Sequence, residues 1–334
     1  MLTLTPYGLY CEAGDFFVDP WQPVDRAVIT HAHADHMRPG SRSYLGSVRS
    51  RHLMRARLGE EAAIESVGYG EVVTMNGVRV SLHPAGHVLG SAQVRVEHKG
   101  EVWVVTGDWK AAPDPTCEPF ELVPCDTFIT ESTFGLPLYQ WPNPADVCAE
   151  INAWWRTNQA AGKASVVFAY SLGKAQRVLM GVDASIGPIY CHGAPSKLNE
   201  AYRASGIDLP KTTYVGAIEK KKSEWAGALI VAPTSAAGSP WMRRFGVHET
   251  GFASGWMRIR GARRRRSVDR GFVLSDHADW PNLTRVIEAT GAKTILPTHG
   301  YTAAVARWCR ERGLNAEALE TRFAGEAEEP SGPA

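Results

Sequence analysis

The chain has 334 residues, 44% hydrophobic and 21% charged, an ordinary balance for a soluble globular protein and long enough for about two domains with a sizeable core. No stretch approaches the ~18 uninterrupted apolar residues of a bilayer-spanning helix, and Met1 to Tyr10 lacks a basic region followed by an apolar core, so neither a membrane span nor a secretory signal is expected. The net charge of +1 conceals an asymmetry: residues 141–271 carry 19 Lys+Arg against 9 Asp+Glu, and the remainder carries 17 against 26.

A basic segment set within an acidic chain predicts a polyanion-binding surface. The six cysteines (11, 117, 125, 148, 191 and 309) are scattered, with no Cys-x-x-Cys pair. That usage predicts free thiols in a reducing compartment, and hence a cytoplasmic location.

In chain order, Leu9-Tyr10 and Phe16-Phe17-Val18 read as short strands. Asp19-Pro20 follows, and Asp19 reads either as a turn former or as a carboxylate orienting a metal-binding histidine from behind. The apolar run Ala27-Val28-Ile29 predicts a buried strand that empties into His31-Ala-His33-Ala-Asp35-His36. Three imidazoles and a carboxylate within one loop are borderline-hard donors suited to zinc, manganese or iron. His31 and His33 can take one ion, while Asp35 and His36 can reach a second. One loop cannot close two coordination shells, so further ligands are expected elsewhere.

Ser50 to Glu61 has helical composition. Strand-like alternation then covers 78–82, 94–96 and 102–105. Between the first two, the glycines of Pro84-Ala85-Gly86-His87-Val88-Leu89-Gly90-Ser91 allow a tight turn that offers His87, in preference to His83 on the strand, as a third ligand. Asp108 ends the 102–105 strand, placed so that each oxygen of its carboxylate can serve one ion. The strand 127–130 ends at another acid, Glu131.

Ala145 to Trp155 reads as an amphipathic helix and 166–170 as a buried strand. Ser171-Leu-Gly-Lys174 then opens a helix, as a phosphate seat or an ordinary serine cap. The strand 188–190 leads into Cys191-His192, with His192 a candidate contact. Basic density rises through 220–222, 243–244 and the run Arg263, Arg264, Arg265 and Arg266. Interleaved aromatics (Trp225, Trp241, Phe245, Phe252 and Trp256) are candidates for stacking on unpaired bases. From 271 a strand returns ahead of Asp276-His277-Ala278-Asp279, then a helix over 283–289, a strand over 293–297 before His299, and a helix over 303–312. The tail from Gly325 is acidic, rich in Pro and Gly, and expected to be disordered.

Taken together, these motifs resemble the metallo-β-lactamase superfamily in its β-CASP nucleic-acid-processing branch. The residues that carry the resemblance are His31-x-His33-x-Asp35-His36, Gly86-His87, Gly107-Asp108, Glu131-Ser-Thr-Phe-Gly135, Ser275-Asp-His277 and Thr298-His299-Gly300. More narrowly, the chain resembles bacterial exonucleases associated with an ATP-dependent DNA ligase and a helicase. His299 stands where RNA-processing members carry a histidine and Artemis-type members typically do not.

The resemblance implies an α/β fold: a four-layered αβ/βα sandwich from residues 1–140 and 272–325, with an inserted α/β β-CASP domain at 141–271 and a tail at 326–334. It implies two divalent metal ions, zinc first with manganese as the alternative. One would be held by His31, His33, His87 and Asp108, and the other by Asp35, His36, His299 and the shared Asp108. Glu131 would orient His277 as general acid, Asp35 would serve catalysis through its metal, and Asp19 would support a ligand histidine. Ser171 and Lys174 would receive a terminal phosphate, with Arg263 to Arg266 on the polynucleotide. The implied activity is DNA exonuclease in repair. A ribonuclease J-type RNA nuclease and a non-catalytic nucleic-acid-binding subunit stand as alternatives. A ligase and a helicase would be functional associates, and no membrane is involved.

Overall fold

The structure is a computed structural model and describes residues 1–259, 261 and 268–322. The run Arg263 to Arg266 and the tail lie outside the described residues. The chain divides into two compact units, one from Met1–Gln140 with the segment returning at His277, the other Trp141–Asp276.

In chain order the strands are β1 (Leu2–Thr5), β2 (Gly8–Cys11), β3 (Phe16–Val18), β4 (Arg26–Val28), β5 (Ser43–Ser47), β6 (Ile64–Val67), β7 (Val72–Met75), β8 (Val78–Pro84), β9 (Ala92–His98) and β10 (Glu101–Val105). They continue with β11 (Thr127–Ser132), β12 (Ala164–Phe168), β13 (Ile189–Cys191), β14 (Thr213–Tyr214), β15 (Leu229–Ala232), β16 (His248–Ala253), β17 (Arg270–Phe272), β18 (Thr294–Gly300) and β19 (Asn315–Ala316). The helices are α1 (Arg51–Leu58), α2 (Pro144–Ala160), α3 (Lys174–Gly181), α4 (Gly193–Ala204), α5 (Trp280–Ala289) and α6 (Thr302–Arg310). No helix among the described residues is long and apolar enough to cross a membrane.

The first unit stacks two sheets, ordered β1-β2-β3-β4-β5-β6 and β19-β18-β11-β10-β9-β8-β7. Successive side chains of a strand point to opposite faces, so a strand covered on both sides must be apolar throughout. That is why 102–105, 127–129 and 294–296 read as continuous runs. Val105 and Ile129 face the core between the sheets with Phe16, Val28 and Val94, while Val104, Phe128 and Ile295 face Leu283, Ile287, Val305 and Cys309 of α5 and α6. Each such side chain, fully buried, contributes about 1.5–3 kcal/mol. On the outside of the other sheet, α1 seats Met54 against Gly46, where a Cβ would collide with its sulfur. The result is a four-layered αβ/βα sandwich.

The second unit is an α/β domain inserted into the first. Its sheet, β14-β13-β15-β12-β16-β17, is parallel throughout. Trp154 and Trp155 of α2 and Val178 and Leu179 of α3 cover one face, and Trp225, Met242, Phe245 and Met257 from short 3₁₀ turns cover the other. Asn143 caps α2 through its side chain, ahead of Pro144. Ser171 does not cap α3; the Gln176 side chain accepts from Gly173 N at 2.7 Å.

Two expectations change here. The sequence places the strand pattern from residue 271 and the return to the first domain at 272, whereas the strand is β17 (Arg270–Phe272) and belongs to the second unit. It pairs with β16, because Phe272 and Leu274 complete the core under α2. The second concerns the aromatics set among the basic residues. Trp225, Phe245 and Phe252 are 2%, 0% and 1% exposed, so they are core rather than stacking surface.

Candidate metal centre

The donor-bearing residues stand at or just beyond the carboxyl ends of β4, β8, β10, β11 and β18. Strands β10, β11 and β18 run parallel, which brings Asp108, Glu131 and His299 to one edge. Gly86 and Gly107, each one residue before a donor, have φ of +72° and +57°. A Cβ on Gly86 would strike the Lys110 carbonyl, and one on Gly107 would strike Thr30, so both turns demand glycine.

His31, His33, His87 and Asp108 present one donor atom each, all within 4.8 Å of one another. Asp108 faces two ways. Its Oδ2 lies 3.6 Å from His31 Nε2 and 3.7 Å from His87 Nε2, while Oδ1 lies 3.0 Å from His299 Nε2 and 3.7 Å from His36 Nε2. Asp35 Oδ2 is 3.9 Å from the same His36 nitrogen. Separations of 3.6–3.7 Å exceed hydrogen-bond length and are near the ~3.4 Å ligand–ligand edge of a tetrahedron with ~2.1 Å metal bonds. Among the described residues, buried His31 Nε2 has no hydrogen-bond partner, although it is aimed at this cluster. These residues fit divalent cations, with Asp108 shared between two donor sets.

Backbone and side-chain contacts turn the rings. Asp19, at φ +44°, accepts from Thr30 N at 2.8 Å and Thr30 Oγ1 at 2.5 Å, and holds His36 Nδ1 at 2.8 Å. Thr30 Oγ1 also meets His31 Nδ1 at 2.9 Å, and Thr298 Oγ1 meets His299 Nδ1 at 3.0 Å while donating to the Thr130 carbonyl. With each Nδ1 engaged, each Nε2 is left facing Asp108. The sequence reading names Thr298 within Thr298-His299-Gly300 but gives neither threonine a role on the rings. The repeated Thr-His pair at two strand ends was the available signal.

Burial, with neighbouring His36, holds the His31 pKa well below the usual imidazole range. Burial pulls His36 the same way, but Asp108, Asp35 and Asp19 outweigh it and raise the pKa to about 10. Burial would raise Asp108, yet His36, His277 and His299 hold its pKa well below the carboxylate range. A cation binding at His36 must therefore displace a proton. Asp19→Asn is expected to weaken zinc binding about 10- to 100-fold, read by chelator competition.

Beside this cluster, the His277 ring lies 4.7 Å from that of His87. His277 Nδ1 donates to Glu131 at 2.8–2.9 Å, and Glu131 Oε1 accepts from Trp109 N at 2.7 Å. The carboxylate is thereby fixed, and His277 turns Nδ1 toward it and Nε2 away.

The remaining candidates fall elsewhere. His83 lies on β8 and pairs with Glu121 at 3.0 Å. In the second unit, buried Lys174 meets Asp276 at 3.2 Å, and Arg177 meets the other oxygen of Asp276 at 3.2 Å. Ser171 Oγ is buried without a hydrogen-bond partner among the described residues. His192 caps α4, with Nδ1 accepting from Ala194 N at 3.2 Å.

A donor cluster at the strand ends of a four-layered sandwich, organised about one shared carboxylate, defines a metal-binding protein with an inserted α/β domain. No protein-family model matches the chain. It is 34% identical over 316 residues to a protein named as a probable DNA ligase from Opitutus terrae, covering 94% of this chain and 30% of that protein. Over 122 residues it is 30% identical to Endoribonuclease YSH1 of Eremothecium gossypii, covering 36% of this chain and 16% of that protein. Over 117 residues it is 31% identical to RNase aCSPSF2 of Saccharolobus solfataricus, covering 34% and 23%. The chain thus spans less than a third of the length of each of these relatives. A crystal structure of a protein of unknown function from Enterococcus faecalis shares the fold, with a TM-score of 0.60, 12% identity, and coverage of 89% of this chain and 80% of that one. The fold, the donor cluster and these relatives are consistent with the metallo-β-lactamase superfamily in its β-CASP branch.

Proposed function

We propose that the chain is a metal-dependent phosphodiesterase that degrades DNA from an end, in repair. The observation that carries this reading is Asp108, whose two oxygens face separate histidine pairs next to the Glu131–His277 pair. When bound, two divalent cations, zinc in this proposal, would activate the attacking water and neutralise charge on the phosphoryl oxygens. His31, His33, His87 and Asp108 would hold one, and Asp35, His36, His299 and Asp108 the other. Glu131 keeps the His277 ring in place, and His277 Nε2 delivers the proton that the departing sugar oxygen needs. Ser171 supports the end-directed part of the reading, because its buried hydroxyl still has bonding capacity to offer a terminal phosphate.

The match across nearly the whole chain to a protein named as a probable DNA ligase supports DNA as substrate and a ligase as a functional associate; a helicase is proposed as a second associate from the sequence resemblance alone. The endoribonuclease names among shorter matches favour a second reading, RNA processing. Single-stranded DNA and RNA of matched sequence, labelled at either end, separate the two. Zinc-loaded protein is expected to shorten the DNA stepwise, and Asp35→Ala or EDTA to stop it. Faster cutting of the RNA selects the second reading, and no cutting of either polymer with zinc, manganese or magnesium overturns both.

A further inference from the structure

In the second unit, the parallel sheet brings the carboxyl ends of β13, β14 and β15 to one edge, the edge at which open α/β sheets take ligands. His192 and Gly193 follow β13, Tyr214 ends β14, and Trp241 lies in the segment after β15. The His192 and Trp241 rings meet edge to face at 4.9 Å, and the Arg244 guanidinium lies 5.7 Å from the centre of the Trp241 ring. Tyr214 lies against the backbone of Gly193 and Gly216, where a Cβ at either position would meet its ring. Although this ring is 46% exposed, it rests on two residues that have no side chain to displace it.

Trp225, Phe245 and Phe252 are core, whereas Tyr214 is exposed and Trp241 reaches solvent beside exposed Arg244. Aromatic faces placed among fixed cations are the chemistry of unpaired-strand binding. Every base offers a π face, and the backbone offers phosphate. His192 adds a directed donor, since Nδ1 accepts from Ala194 N and the proton of the neutral ring then sits on Nε2.

We propose that Tyr214, Trp241, His192 and Arg244 form a stacking subsite for an unpaired polynucleotide strand, with bases on the two aromatic faces and phosphate on Arg244 and His192 Nε2. The subsite takes its ligand class from the nuclease reading, and it is tested apart from that reading.

Full-length zinc-loaded protein is titrated with phosphorothioate oligo-dT, which resists cleavage, and with an abasic phosphorothioate strand of equal length. Trp241→Ala is expected to weaken oligo-dT binding about 5- to 100-fold while leaving abasic binding within about twofold. Gly216→Ala, which drives a methyl group into the Tyr214 ring, is expected to act in the same direction. Trp241→Phe keeps a π face and should keep most of the affinity, which guards against a loss caused by misfolding. Equal losses on the two strands, or no loss on oligo-dT, would overturn the subsite. Hydrolysis of bis(p-nitrophenyl) phosphate by the unaltered protein is measured separately. Its absence would count against the nuclease reading and leave the binding comparison standing.

Discussion

Asp108→Asn is expected to lower phosphodiester hydrolysis by about 10³-fold or more, with bound metal falling from two ions per chain to one or none. The carboxylate is the one group that faces both donor sets: Oδ2 toward His31 and His87, Oδ1 toward His36 and His299. Asparagine keeps the size but replaces one acceptor oxygen by an amide NH2, which has no lone pair for a cation. It also removes the negative charge that helps hold buried His36 protonated, so the metal-free cluster becomes less polar as well. Elemental analysis of protein dialysed against zinc, together with initial rates on single-stranded DNA, gives both numbers. A variant that keeps two ions and activity within tenfold of the parent would remove Asp108 from the bridging role. Circular dichroism separates loss of the centre from loss of the fold.

His277→Ala is expected to cut the rate on DNA by about 10²- to 10⁴-fold, the range for one positioned acid or base. The substrate dependence of that loss is what tests the role. A sugar alkoxide leaves only with a proton, whereas nitrophenolate leaves without one. If His277 supplies the proton, the defect should largely disappear on bis(p-nitrophenyl) phosphate. Glu131→Gln should show the same pattern at smaller size, because its loss frees the ring and removes the charge at 2.8 Å while leaving the imidazole itself in place. A defect of equal size on both substrates would mean that His277 shapes the site without passing a proton.

The histidine loop was readable before any coordinates because its donors are concentrated, with four of them inside residues 31–36 directly after an apolar strand. The strands of the large sheet were readable for a different reason: cover on both faces forces the continuous apolar runs of β10, β11 and β18. Orientation was harder. Neither Thr30 nor Thr298 announces itself by type, since the value of each hydroxyl lies in the one ring nitrogen it meets. In the second unit, local composition pointed the wrong way. The charge around 220–222 and 243–244 drew attention from Leu229–Ala232, a fully buried central strand whose core neighbours include Trp225 and Phe245. Which aromatics are core and which reach solvent depends on where that strand lies.

The order in which the large sheet is completed bears on synthesis. Strand β11 pairs in parallel with β18, Thr127 opposite Thr294, so the strand next to the edge of that sheet is translated after the whole second unit. At about 5–20 residues per second, the ribosome takes roughly 8–30 s to cover that interval. Until residue 277 is made, a nascent chain holds its histidine loop and Asp108 but has neither His277 nor His299. A message truncated before codon 277 yields a chain without His277 and without His299, which faces Asp108. Such fragments cannot form the complete donor cluster.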